Sequence, residues 1–359
     1  MLSKNETSVV EIAKMNTIIQ RLQPHTVSIY HLTDDVVEEQ IIDARSLLNP
    51  VRFDLFAKLY YVQNRKDNRA EAEQIYKEHI RAFNPDLKEP GREDKDGMDD
   101  FVSSFNQLID QFEAQDFNSD VSLVPVSENG VILDGAHRIA ALAYFDKKVG
   151  VARCKGVKPK ADFDYLYFKN RGLSWGTMDV IANEMMHWVP NMYVACLWPK
   201  MINKAQAVSI IEKKFGIVYE KSLKVNLTTF KLLIQKVYDS QPWVNAPESV
   251  CHKSLQCYDF NGQISFLFFV ANSLEEVLTV KDEIRGIYGA GKHSLHITDN
   301  VEETKAIAKM VLLEDERKRW YGNSAVSGLR EKIAERLFYF KKVQYLKMKI
   351  AIAKIAGRG

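Results

Sequence analysis

Apolar residues recur along this chain at spacings that separate helices from strands. Phe101, Phe105, Leu108 and Phe112 fall at offsets 0, 4, 7 and 11, which predicts a helix over residues 99–115 with these four as its core stripe. Asp99 and Asp100 stand at its start, where the helix dipole favours acids. Helical spacing also predicts helices near residues 10–22, 34–48, 52–61 and 69–83, the last with Ile75, Ile80 and Phe83 turned inward. Residues 84–98 hold two Pro, two Gly and charges of both signs, and read as a loop. An apolar strand from residue 123 runs into Asp134-Gly135, a small-residue helix follows, and a strand is expected over 149–154.

After about residue 160 the pattern becomes an alternation. Strands are expected at 192–198, 216–225, 265–271 and 293–298, and helices at 205–215, 227–238, 274–287 and 301–313. This is the signature of an α/β or α+β domain, here with a mixed sheet, and no internal repeat is visible. Residues 324–356 read as one long helix with Leu329, Ile333, Leu337 and Phe340 on one face. The expected organisation is a helical arm over 1–50, a first α/β domain over 51–160, a second over 161–322, and a basic carboxyl-terminal helix over 323–359.

Charge changes this picture at one place. The chain carries +2 overall, but residues 341–359 hold five Lys, one Arg and no acid, so the remainder is at −4. A mildly acidic body argues against a broad nucleic-acid face. A tail mixing Lys with Val343, Leu346, Ile350, Ile352 and Ile355 suggests peripheral contact with an anionic membrane surface, a docked partner, or a solvated end. No apolar run reaches about 18 residues, and no leader-like run follows Met1, so a cytoplasmic protein is expected. The four cysteines show no CxxC pair and no zinc spacing, as expected of reduced structural thiols.

The candidate chemistry centres on Asp134-Gly135-Ala136-His137-Arg138. A helix amino terminus presents backbone N–H groups and partial positive charge, Gly135 admits a close approach, and Arg138 offers a planar fork suited to phosphate. The same residues also make sense as plain structure. Asp-Gly is an ordinary turn, Asp134 a helix cap, and Arg138 the partner of a structural carboxylate.

Set between a strand and an Ala-rich helix, this stretch of about 25 residues resembles the phosphate-binding motif of the ParB/sulfiredoxin-like fold. With Asp134 before the glycine and His137 before the arginine, it is most similar to the branch of nucleotide-dependent kinases that phosphorylate small metabolites such as free serine. The resemblance implies ATP or ADP held by Gly135, Ala136, His137 and Arg138, with Mg²⁺ partly on Asp134. It implies catalytic roles for Asp134 and His137, and an upstream acid as base, for which Glu89 in the charged loop is the choice. Arg52, Asp54, Lys58, Arg92 and Lys95 are the candidate acceptor contacts, and a small molecule or a glycan is the acceptor class. The alternative is a nucleotide-binding switch or DNA-associated module of the ParB kind, although mixed α/β patterning follows the motif here. A sulfiredoxin-like reductase would need a cysteine inside the motif, and position 136 is Ala. A scaffold binding a phosphorylated ligand without turnover is the remaining reading.

A second candidate lies at residues 289–304. Lys292 follows Gly289 and Gly291 in a basic turn, His293 and His296 lie on the expected strand, and Asp299 ends it. Lys292, His296 and Asp299 could bind phosphate or metal, whereas two histidines three apart on a strand face opposite ways. Asn300 with Glu302 and Glu303 equally reads as an ordinary helix cap. The phosphate-binding pattern GxxxxGK[ST] is absent from 286–293.

Overall fold

The computed structural model describes residues 17–88, 97–259, 261–288 and 291–321, with 344 and 348. The chain divides into two compact units, Met1–Pro190 and Asn191–Gly359, so the division falls at Pro190 and not near residue 160. Both units mix helices with a sheet, and the fold class is α+β.

In chain order the first unit comprises α1 (Pro24–Tyr30), β1 (Val37–Asp43), α2 (Asp54–Asn64), α3 (Arg69–Phe83), α4 (Met98–Ala114), β2 (Val124–Ser127), α5 (Ala136–Tyr144), β3 (Lys148–Cys154), α6 (Tyr165–Asn170) and α7 (Trp175–Trp188). Its sheet has the order β1-β3-β2, with β1 antiparallel and β2 parallel to β3. The central strand β3 buries Val149, Val151, Ala152 and Cys154, as a strand covered on both faces must.

The helix expected over 34–48 is replaced by β1 and a 3₁₀ turn, Ala44–Leu47. β1 is an edge strand in which only Val37 is fully buried while Ile41 is 65% exposed, so the period-2 signal is weak. Of the helix expected over 10–22, the described part is a 3₁₀ turn, Ile19–Arg21. α4 matches expectation, except that Ile109 is fully buried where Leu108 is only half-buried. The carboxyl-terminal helix expected over 323–359 lies outside the described residues, apart from positions 344 and 348.

The second unit comprises β4 (Met192–Leu197), α8 (Lys204–Phe215), β5 (Ile217–Lys224), α9 (Leu227–Val237), α10 (Pro247–Cys257), β6 (Gln263–Val270), α11 (Leu274–Tyr288), β7 (Leu295–Ile297), α12 (Val301–Leu312) and α13 (Glu314–Tyr321). Its sheet runs β5-β6-β4-β7, and every pairing in it is antiparallel, not mixed as the alternation implied. Antiparallel neighbours reached through intervening helices produce the same sequence rhythm as a parallel sheet, so rhythm alone does not set direction. Every residue of β4 is buried, and β6 alternates Leu267 and Phe269 with Phe266 and Phe268, all buried. On one face Phe215, Ile211, Val277 and Ile284 close over Leu267 and Phe269. Among the described residues no helix is long and apolar enough to cross a membrane.

Candidate functional site

The stretch before the motif is not one strand. β2 ends at Ser127, Gly130 at φ 79° reverses the chain, and Ile132 bridges antiparallel to Val126. Leu133 N–H then donates to Pro125 O at 2.9 Å, which returns the Asp134-Gly135 turn toward the amino-terminal end of β2. Gly135 sits at φ 87°, a left-handed conformation that costs L side chains about 1–2 kcal/mol. A Cβ there would lie 2.8 Å from the Arg138 guanidinium. Ile139 N–H makes the first helical bond to Gly135 O, and no cap on α5 comes from a side chain among the described residues. Helix geometry leaves the N–H groups of the first turn without intrahelical acceptors, so this end of α5 suits an anion.

The motif side chains are half-buried and engaged with the protein. Arg138 donates to Ser122 Oγ at 3.2 Å and Leu123 O at 3.4 Å, and its guanidinium lies 3.8 Å from the Asp134 carboxylate. His137 Nε2 is 2.9 Å from the Tyr76 hydroxyl, with the Phe105 ring edge-on at 4.7 Å. Arg138 thus spans the turn, and His137 anchors α5 to α3 and α4. Ala136 opens the helix as expected.

Behind the turn lies a buried ionic network. Arg52, Asp54 and Lys58 are 4%, 0% and 2% exposed. Arg52 binds the Asp54 carboxylate through two N–H groups at 2.8 and 2.9 Å, and Lys58 Nζ reaches it at 2.9 Å. The Arg52 fork also donates to Ile132 O at 2.6 Å, two residues before Asp134. Burial alone would raise the Asp54 pKa, but Arg52 and Lys58 beside it prevail and hold it far below the usual carboxylate range. These three residues, expected as acceptor contacts, are interior groups that fix the backbone entering the turn. His79 is fully buried nearby, with Phe168 and Phe83 around its ring and no hydrogen-bond partner on either nitrogen among the described residues. Burial, followed by Lys58, drives its pKa well down, so it is neutral. Sequence reading missed His79, Tyr76 and the Arg52–Ile132 link, since helical spacing reports a face and not its partner. Glu89, Arg92 and Lys95 lie outside the described residues.

The candidates in the second unit are tied into its frame. His296 Nε2 pairs with Glu303 Oε1 at 2.8 Å, and Asp299 pairs with Lys281 at 2.6 Å. Asn300 Oδ1 accepts from Glu303 N–H while Glu303 Oε2 accepts from Asp299 N–H, a reciprocal cap on α12. Lys292 lies in the exposed 3₁₀ turn Gly291–His293 and offers its carbonyl to Lys253. His293 is therefore not on the strand, and its Nδ1 faces Cys257 Sγ at 3.9 Å. The turn does not join Lys292 to His296 and Asp299. Burial pushes the Cys154 and Cys257 thiols up to about 11, unlike a reactive cysteine.

Among the described residues no cluster of three or more His, Cys, Asp or Glu could hold a metal ion by itself. Asp134 could offer one carboxylate to a Mg²⁺ ion that nucleotide phosphates would largely carry. No family model matches the chain, and neither does any curated protein or solved structure.

Proposed function

We propose that this chain is a nucleotide-dependent phosphotransferase, moving phosphate from ATP or ADP to a hydroxyl of a small molecule or saccharide. The observation that carries this reading is the amino terminus of α5, which enters through a left-handed glycine and is flanked by Arg138 and Asp134. Phosphoryl transfer asks for charge neutralisation and alignment more than for covalent chemistry. The first-turn amides and Arg138 would neutralise phosphate. Asp134 would share Mg²⁺ with the nucleotide or meet the acceptor. His137, held by Tyr76, would keep the turn in place and point its backbone at the phosphate. Glu89 would serve as base, and Arg92 and Lys95 would come from the same segment. Buried Arg52, Asp54 and Lys58 would brace the turn, and with them Ile132.

The test is a panel of ATP, ADP, CTP and GTP, each with Mg²⁺, read by thermal shift and calorimetry on the full chain. An adenine nucleotide should give a saturable shift that Arg138→Ala abolishes and Asp134→Asn makes independent of Mg²⁺. Because Arg138 also bonds Ser122 and Leu123, the unliganded melting point of each variant is compared first. A shift with CTP alone would point to a nucleotide switch, and no shift with any nucleotide would overturn the donor site.

A further inference from the structure

A second feature of the first unit lies away from the turn. Between the carboxyl-terminal turns of α2 and α7 is a cleft of about 550 Å³, walled by Arg45, Tyr60, Asn64, Asn183, Glu184 and Trp188. That volume lies within the range of about 300–1,000 Å³ usual for small-molecule sites. Arg45 Nε donates to Ala143 O at 3.0 Å, which puts the cleft at the far end of α5 from Gly135. Nine helical residues separate the two ends by about 13 Å.

Two neighbouring residues of the wall are buried acceptors, one of them without a partner among the described residues. Asn183 is 9% exposed, and its Oδ1 has no hydrogen-bond partner among the described residues. Glu184 is 4% exposed, and the Trp188 indole N–H donates to its Oε1 at 2.6 Å. No other hydrogen bond to that carboxyl is found among the described residues. Leaving a buried acceptor unmet costs about 1–3 kcal/mol, so Asn183 Oδ1 calls for a ligand that brings a donor.

The remaining walls narrow the class. Among the described residues no aliphatic side chain lines the cleft, and its apolar faces are the rings of Tyr60 and Trp188. An anion would meet the Glu184 carboxyl. An ammonium would meet the Arg45 guanidinium, which lies 5.5 Å from the centre of the Trp188 ring and, among the described residues, keeps free N–H groups beside its exposed partner Asp146 at 3.0 Å. What fits is a neutral ligand rich in hydroxyl groups, each able to donate to Asn183 and Glu184 and accept from Arg45. The C–H face of a sugar ring would lie against Tyr60 or Trp188.

We propose that this cleft is a saccharide-binding site for a neutral mono- or disaccharide, with Asn183 and Glu184 receiving its hydroxyl protons. The proposal is independent of the phosphate reading, and each stands if the other falls.

The experiment is saturation-transfer NMR on the full chain with glucose, galactose, mannose, N-acetylglucosamine, lactose and maltose, beside arginine and putrescine as charged controls. At least one sugar should bind saturably, and Glu184→Gln should weaken it about tenfold or more, equal to about 1.4 kcal/mol. Trp188→Phe should weaken it as well. Gln63 is exposed at the same cleft, so Gln63→Ala supplies a variant without folding risk and should also reduce affinity. Absence of binding by every sugar, binding by the amines alone, or sugar binding indifferent to all three substitutions would each overturn the assignment.

Discussion

Asp54→Asn is the sharpest probe of the network under the turn. The substitution keeps volume and removes a charge that answers both Arg52 and Lys58, in a site with no exposure. Three charge-assisted contacts at 2.8–2.9 Å are lost or weakened. Breaking a buried pair from one side typically costs about 3–5 kcal/mol, since the partner charge stays buried without its counter-ion. Set against a typical domain stability of about 5–15 kcal/mol, this is a large share. The two units need not unfold together, so a single melting curve is the wrong readout. Urea titration followed by hydrogen-exchange mass spectrometry assigns the loss to α2, α5 and the segment around Ile132. A loss under about 1 kcal/mol, or increased exchange confined to the second unit, would refute the account. The pH dependence follows with the same sign. The folded pKa of Asp54 lies below its unfolded value of about 3.9, so its contribution is complete above that pH and lost as pH falls toward the folded value. His79 acts earlier. Its folded pKa is depressed, the unfolded chain takes a proton below about 6.5, and stability falls as pH drops through that range. His79→Phe should flatten the first decline and Asp54→Asn the second.

Two glycine substitutions separate the units. Gly135→Ala forces a Cβ into a left-handed turn against the Arg138 guanidinium, at a cost of about 1–2 kcal/mol, and should abolish the nucleotide-induced thermal shift. Gly262→Ala, at φ 63°, would place a Cβ 2.0 Å from Val225 O and should cost at least about 2 kcal/mol. Exchange should then rise in β5 and β6 while α2 and α5 stay protected.

What the sequence made legible is what one element can express by itself. α3 is bounded at residues 69 and 83 as its spacing implies, since its apolar face repeats at helical period with polar residues between. The Gly135 turn was legible for a similar reason, because a left-handed position before a helix admits few residues other than glycine. β1 was misread because an edge strand needs only one covered row, and Val37-Glu38-Glu39-Gln40-Ile41 has no alternation to show. α7 went unseen for the opposite reason. It buries Thr177, Asp179, Asn183 and Glu184 along with Met178, Ile181, Met185 and Met186, so polar residues occupy the positions that should mark its inner face. Those polar positions include the walls of the cleft, and the feature that hid the helix from its pattern is the feature that gives the cleft its chemistry. The network of Arg52, Asp54 and Lys58 carries the same lesson. Charges at offsets 0, 2 and 6 read as acceptor contacts, and only burial and the hydrogen bond from Arg52 to Ile132 O reveal them as a brace for the backbone entering the turn. Local spacing therefore locates the elements, while burial of polar groups is a property of pairs of elements and emerges only when they pack.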